Sequence, residues 1–483
     1  MTQRFPIGGP GGTPPPQNPQ QILQQAVRLH QAGRLPDAVK LYQQVLKTHP
    51  GSAPVLTYCG AAMLDMKRTF EGTQMLQSAI AADPNNADAH SYLGNAHQMA
   101  GRLEAAEKSY AKALEIQPEN PQLQNNMGVL LQRMGQHAIA ADRFRKAIDL
   151  QPDYAQAHNN LSESLAGLNQ VDDAIASGQK AVELQANYAD GHNTLGSALS
   201  KAGRTEEAIA SFKNALAIQP KSQNALNNLA VAQVITGQPA EAIEACDKML
   251  ANDPTSVSAL ATKAVALSET RSMDDLNHLV DLDRNIHTLM VDPAPDFEDV
   301  DSFNQALVDH IVNHPSLTYE RDGHATRKGK HTGDLLVEPK GPMATFERLI
   351  NQAVEAYRDD IDPDYQHPVA QTAPKKWKLA VWSVVLEEAG HQVPHIHESG
   401  WLSGVYYPKV PHDMGTSTED PSGWIEFGQP QELYQVRETP PLKLFEPKEG
   451  MMILFPSYFF HRTVPTGSQD LRVSIAFDVM RRG

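Results

Sequence analysis

The chain is 483 residues long, enough for several domains, and 57 acidic against 41 basic residues leave a formal net charge of -16. That balance argues against a nucleic-acid binder relying on phosphate neutralisation and leaves proteins, peptides or small molecules as partners. Only Cys59 and Cys246 are available for thiol chemistry, which speaks against a disulfide framework or a cysteine zinc site. With no long apolar run and no secretory leader, the expectation is a cytoplasmic protein without membrane contact.

Residues 1–18 are rich in Pro and Gly, too poor in apolar side chains to fold, and read as a disordered tail. From 19 to 256 the chain repeats every 34 residues through seven units. Prolines recur at Pro50, Pro84, Pro118, Pro152, Pro220 and Pro254, where one unit gives way to the next. Glycines recur at Gly33, Gly101, Gly135, Gly203 and Gly237, with Lys67 and Asn169 in the gaps. A turn between two helices needs a positive φ, which costs glycine little. Alanines at Ala38, Ala106, Ala140, Ala174, Ala208 and Ala242 mark close helix approaches. Tyr42, Tyr110, Phe144 and Phe212 follow four residues later and are expected to fill gaps between neighbouring units.

This segment resembles the tetratricopeptide repeat family, which implies a helix-turn-helix solenoid that binds a protein or peptide on its concave face. The first helix of successive units carries Asn125-Asn126, Asn159-Asn160, Asn193 and Asn227-Asn228. Carboxamides both donate and accept, so Asn126, Asn160 and Asn228 are candidate contacts to an extended peptide backbone. The spacing is similar to the asparagine ladder of the O-linked N-acetylglucosamine transferase superhelix; the plainer alternative is a solvated polar helix face. His90, His158 and His192 share the 34-residue spacing and read as a repeat feature, not a metal cluster. Residues 257–290 keep helical patterning without the signature and read as capping helices and a linker, with Asp292-Pro293-Ala294-Pro295 punctuating the change.

From 291 to 483 the texture changes. Helices are expected near 302–313 and 344–357, then strands at 378–386, 402–407, 424–427, 450–455 and 471–479, which suits a two-sheet β-barrel or jelly roll. The overall fold class is thus α+β multidomain, an all-α solenoid followed by a jelly-roll domain. Along this stretch stand His395-Ile396-His397-Glu398, then His461, then Arg472-Val473-Ser474. Imidazoles at i and i+2 on a strand share a face, and a third from another strand can meet them. The planar fork of Arg472 suits a carboxylate, with Ser474 on the same strand face.

The ordered set, with Leu402-Ser403-Gly404-Val405-Tyr406-Tyr407, resembles the double-stranded β-helix of iron(II)- and 2-oxoglutarate-dependent oxygenases. The resemblance implies Fe(II) and 2-oxoglutarate, with His395 and His461 as iron ligands. It implies Arg472, Ser474 and Tyr407 as contacts to the far carboxylate of 2-oxoglutarate, and no catalytic side chain beyond the metal centre. His397 stands where the family's carboxylate ligand would be. Three readings stay open: a three-histidine site; Glu398 turning inward as the carboxylate; or His397 behind the ligands with water completing the set. Arg327-Lys328-Gly329-Lys330, followed by His331-Thr332, reads as a solvated loop or a mobile one over the site, and His391 and His412 as loop residues. Trp382, Trp401 and Trp424 read as core or rim packing.

The function expected is a dioxygenase that hydroxylates a protein or peptide side chain held by the repeats. Prolyl 4-hydroxylase α subunits combine the same two modules, so prolyl hydroxylation is the first substrate guess, by analogy alone. The alternatives are a non-catalytic scaffold with a degenerate oxygenase domain, or an oxygenase acting on a small molecule.

Overall fold

The computed structural model describes residues 18–482 except 293, 320–324, 363 and 439, and the side chains of Glu388 and Ala389. The expected tail before Asn18, and Pro293 of the expected linker, lie outside the described residues. The chain divides into two compact units, 1–202 and 203–483.

The described residues of the first unit form helices joined by short turns. Its helices are α1 (Pro19–Gln31), α2 (Leu35–Thr48), α3 (Ala53–Asp65), α4 (Thr69–Ala82), α5 (Ala87–Met99), α6 (Leu103–Ile116), α7 (Pro121–Arg133), α8 (His137–Leu150), α9 (Ala155–Gly167), α10 (Val171–Leu184) and α11 (Ala189–Lys201). Each consecutive pair turns on one left-handed residue, with φ between 59° and 74° at Gly33, Lys67, Gly101, Gly135 and Asn169. The aromatic series packs on the first helix of its own unit, and Tyr42 also reaches the next unit as the spacing suggested, its ring stacked on that of Tyr58 with centroids 6.3 Å apart. A Cβ at Gly94 would lie 2.7 Å from the Tyr110 ring, and one at Gly128 would lie 2.5 Å from the Phe144 ring. Where the aromatic is absent, at Gly178, its partner grows to Ser162, whose hydroxyl donates to the Ala174 carbonyl at 2.7 Å.

The repeated histidines have a structural task. Nε2 of His90, His158 and His192 each lies 3.0 Å from the carbonyl of Pro84, Pro152 or Ala186, and a carbonyl can only accept. Gln124, in the same slot, donates to Pro118 at 2.9 Å. These side chains tie off the inter-unit turn.

The second unit begins with α12 (Thr205–Ile218), α13 (Gln223–Ile235) and α14 (Pro239–Asn252), then α15 (Val257–Thr270), α16 (Met273–Leu279) and α17 (Leu282–Asn285). Arg271, which is 34 residues after Gly237, also has a positive φ of 57°. The geometry of the repeat therefore continues through α15 and α16 after its sequence signature has gone. Residues 287–290 are not linker: they form β1 (His287–Met290), paired with β8 (Met451–Pro456).

The remaining elements are α18 (Val300–Val312), β2 (Thr318–Tyr319), β3 (Thr326–His331), α19 (Met343–Asp359), α20 (Pro368–Gln371), β4 (Trp377–Gln392), β5 (Leu402–Lys409), β6 (Ile425–Phe427), β7 (Lys443–Phe445), β9 (His461–Thr463) and β10 (Arg472–Arg481). They build an antiparallel seven-stranded sheet, β1-β8-β5-β10-β4-β3-β2, and a three-stranded sheet, β7-β6-β9. The expected strands are all present. The basic run 327–330 is a correction, because it belongs to β3 and pairs with β4, Arg327 opposite His391. His391 is thus a strand residue, whereas His412 does lie in an exposed turn.

Two apolar clusters cover the sheets. One packs Phe303, Phe346 and Val354 against Val473, Ile475, Phe477 and Val479. The other joins Leu226, Leu260, Val265 and Leu276 of the helices to Tyr407, Phe427, Phe455 and Phe459 of the strands and loops. Polar ties reinforce it: the Thr262 and Tyr434 hydroxyls lie 3.0 Å apart, and Tyr458 donates to the Leu279 carbonyl at 2.8 Å.

The ring-on-glycine contact predicts that Gly128→Ala costs about 1–3 kcal/mol by overpacking. Denaturant melts should show the loss, and adding Phe144→Leu should recover part of it.

Candidate metal centre

The site lies between the two sheets. His395 and His397 follow β4 in an extended segment that is not a regular strand. It is pinned at two points: His395 and His461 exchange both backbone hydrogen bonds at 3.1 Å, and the His397 N–H donates to the Ser457 carbonyl at 3.0 Å. His461 opens β9 opposite Phe427. The i, i+2 relation therefore holds because the segment is extended and clamped.

One ring nitrogen from each of His395, His397 and His461 falls within 4.8 Å of the others, a grouping that contains neither Glu398 nor any other carboxylate. Glu398 is exposed in the following turn. The hydrogen bonds select the tautomers. Nδ1 of His395 faces the Val393 carbonyl at 2.9 Å, Nδ1 of His461 the Phe459 carbonyl at 3.1 Å, and Nδ1 of His397 the Asp478 carboxylate at 2.6 Å. All three partners are acceptors, so each Nδ1 carries the proton and each Nε2 keeps a lone pair.

β10 supplies the opposite wall. Arg472, Ser474, Ala476 and Asp478 line a cavity of about 410 Å³, while Val473, Ile475, Phe477 and Val479 point into the core. Arg472 is 3% exposed, its Nη1 donates to the Gly423 carbonyl, and its Nε has no partner. No carboxylate pairs with it among the described residues. Tyr407, buried on β5, presents its ring 5.3 Å from the guanidinium carbon. Ser474 is buried beside them, its hydroxyl 3.4 Å from the Val384 carbonyl. A buried cation without an anion is costly, so this corner of the cavity is shaped for an anionic group from outside the chain.

Sequence reasoning missed one residue here. Asp478 gave no local signal, being 81 residues from His397, though its even spacing from Arg472 and Ser474 placed it on the cavity face. Trp382, expected as core or rim packing, lines the cavity with its ring 5.5 Å from that of His397. Trp401 and Trp424 are buried, donating to the Val369 and Gly415 carbonyls. His331 and Thr332, from the end of β3, also line the cavity.

A family model described as "Putative 2OG-Fe(II) oxygenase" matches residues 380–478, and models of the tetratricopeptide repeat match 85–153, 125–190 and 193–257. N-terminal tetratricopeptide repeats are joined to a C-terminal 2OG-Fe(II) oxygenase-type domain. Among solved structures, the crystal structure of the APC/C hetero-tetramer Cut9-Hcn1 aligns at 19% identity with a TM-score of 0.47, covering 52% of this chain and 50% of that one. The chain thus spans about half the length of that relative. Pseudomonas aeruginosa pilF aligns at 20% identity and a TM-score of 0.39, covering 43% and 95% of the two chains. YrrB, a TPR protein with an unusual peptide-binding site, aligns at 20% identity and 0.32, covering 38% and 95%. None of the curated proteins compared with the chain matches it.

Burial, with His397 adjacent, pushes the His395 pKa down to about 3, and burial pushes that of His461 well down too. Neutral rings are what a metal requires. In the metal-free protein their contribution to stability is full above the unfolded value of about 6.5 and is lost as pH falls, because the unfolded chain then binds more protons. The slope is up to about 1.4 kcal/mol per pH unit for each ring. Urea midpoints should fall between pH 7 and pH 5, and His395→Gln should flatten that fall.

Proposed function

We propose that the C-terminal domain is an Fe(II)- and 2-oxoglutarate-dependent dioxygenase that hydroxylates a protein or peptide side chain recruited by the repeats. The reading is carried by three Nε2 lone pairs converging beside a buried guanidinium that has no anionic partner among the described residues. The donor set fits the metal: imidazole nitrogens suit iron, and each ring is oriented by a bond at its other nitrogen. His395, His397 and His461 would hold Fe(II). Arg472 would take the far carboxylate of 2-oxoglutarate, with the Ser474 and Tyr407 hydroxyls alongside.

When bound, Fe(II) and 2-oxoglutarate would let dioxygen act as the oxidant, one of its oxygen atoms entering a substrate C–H bond and the other entering succinate as 2-oxoglutarate loses carbon dioxide. The chain's own residues bind and orient. Arg472 fixes one end of the dicarboxylate, and Trp382, Val405 and Phe455 line the cavity with apolar surface that excludes water. A degenerate barrel kept as a scaffold would gain nothing from a buried, anion-free arginine.

Substrate recruitment by the asparagines needs revision at one position. Asn160 is buried and donates to Asn125 of the preceding unit at 3.0 Å, so it ties repeats together. Asn126 and Asn228 are half-buried and remain the candidate peptide contacts.

Anaerobic addition of Fe(II) and 2-oxoglutarate should produce a visible charge-transfer band, followed by succinate in air. Absence of the band in the unaltered protein, or its survival in His461→Ala, would overturn the assignment. Arg472→Ala should retain iron and lose 2-oxoglutarate affinity. Asn126→Ala with Asn228→Ala should impair turnover of a protein substrate while sparing the band; Asn160→Ala should mainly lower the melting temperature.

A further inference from the structure

We infer that Asp478 is the positioning and charge-supplying carboxylate of the metal centre, acting on the metal through the His397 ring. The inference deepens the proposed function and rests on its three-histidine site. A site with two histidines and a carboxylate places one negative charge on the metal. Here position 397 is a histidine and no carboxylate joins the ligand group, so three neutral rings alone would leave the whole charge of a divalent ion uncompensated.

Asp478 supplies that charge one ring away. Its Oδ1 accepts from His397 Nδ1 at 2.6 Å and from the Ser403 hydroxyl at 2.7 Å. Ser403 lies 2.9 Å from Ser457, whose hydroxyl is then the donor, and the Ser457 carbonyl holds the His397 N–H. Backbone and ring of His397 are thus fixed by one connected network. A carboxylate hydrogen-bonded to the far nitrogen fixes the tautomer and raises the basicity of the ligating nitrogen.

The surroundings of Asp478 point to a cation beyond the ring. Its side chain is 12% exposed, and its one ion-pair contact among the described residues is His397 itself. A carboxylate buried against a neutral imidazole and a serine is poorly compensated, whereas one separated by a single ring from a divalent ion is not. Ser403 and Ser457 are buried, and Asp478 meets solvent only to the small extent that it lines the cavity where the metal would sit. The same strand face therefore carries the anchor for an anionic cosubstrate at Arg472 and the compensating charge for the metal at Asp478.

The test uses the full chain and Co(II) as a spectroscopic probe. Asp478→Asn keeps size and an acceptor oxygen but removes the charge. We expect its Co(II) dissociation constant to rise about 10–100-fold, with a changed ligand-field spectrum and an unchanged metal-free melting temperature. Its iron potential should become more positive, because the electron-rich ring that favours the higher oxidation state is lost. Ser403→Ala, which removes only the supporting donor, should shift affinity in the same direction by less, and Asp478→Glu should restore part of it. Asp478→Asn matching the unaltered protein in affinity, spectrum and potential would overturn this inference alone. Failure of the unaltered protein to bind Co(II), or binding that survives His461→Ala, would overturn the three-histidine site and this inference with it.

Discussion

Successive side chains of β10 must point to opposite faces of the sheet, and the arrangement of the C-terminal domain hangs on that alternation. Val473, Ile475, Phe477 and Val479 are buried in an apolar cluster with α18 and α19, which fixes the register of the strand between β4 and β5. The other face is then forced toward the cavity, carrying Arg472, Ser474, Ala476 and Asp478. A slip of one residue would bury the charged groups in the core and expose the apolar ones, so core packing holds the site in place. Gly404 on β5 permits the close approach, since a Cβ there would run into the Phe477 ring.

Polar chemistry at the centre is arranged by exclusion of alternatives. Every Nδ1 of the triad is committed to an acceptor, two carbonyls and one carboxylate, which leaves the Nε2 atoms as lone-pair donors. Two of those acceptors, Val393 and Phe459, are backbone groups two residues before the histidine they hold, so local chain geometry orients His395 and His461. His397 is held differently, by a side chain distant in sequence. The orientation of His397 is therefore coupled to Asp478 of another strand, and the two positions have to be read together.

Within residues 203–483 the last helices of the array and the strands share one continuous apolar cluster. Leu226, Leu260 and Leu276 belong to the same core as Phe427 and Phe455, and those two rings flank His461, with centroids 5.9 and 4.6 Å from it. Contacts of this kind are close-packed, which makes the junction a solid part of the domain and not a hinge. The salt bridge from Arg271 to Glu438 and the two N–H groups that Glu269 accepts, from Arg437 and Glu438, extend the same junction across the surface.

The sequence alone determined the features set by local or periodic rules. The 34-residue period fixed the turn residues, because a left-handed φ selects glycine or asparagine directly, and the period-two runs fixed the five main strands and the order His395, His461, Arg472. It did not reveal β1 or β3, which are short or polar and become strands because a longer neighbour offers its edge, nor β9, which is three residues long and pairs with the equally short β6. Nor could it place Glu398, which the clamp to Ser457 and His461 leaves in an exposed turn outside the histidine cluster. The partner of each aromatic in the repeats, the engagement of Asn160 by Asn125, and the contact of Asp478 with His397 were likewise tertiary decisions. Each depends on which side chains meet across elements, and a linear pattern carries the faces of an element but not the identity of what packs against them.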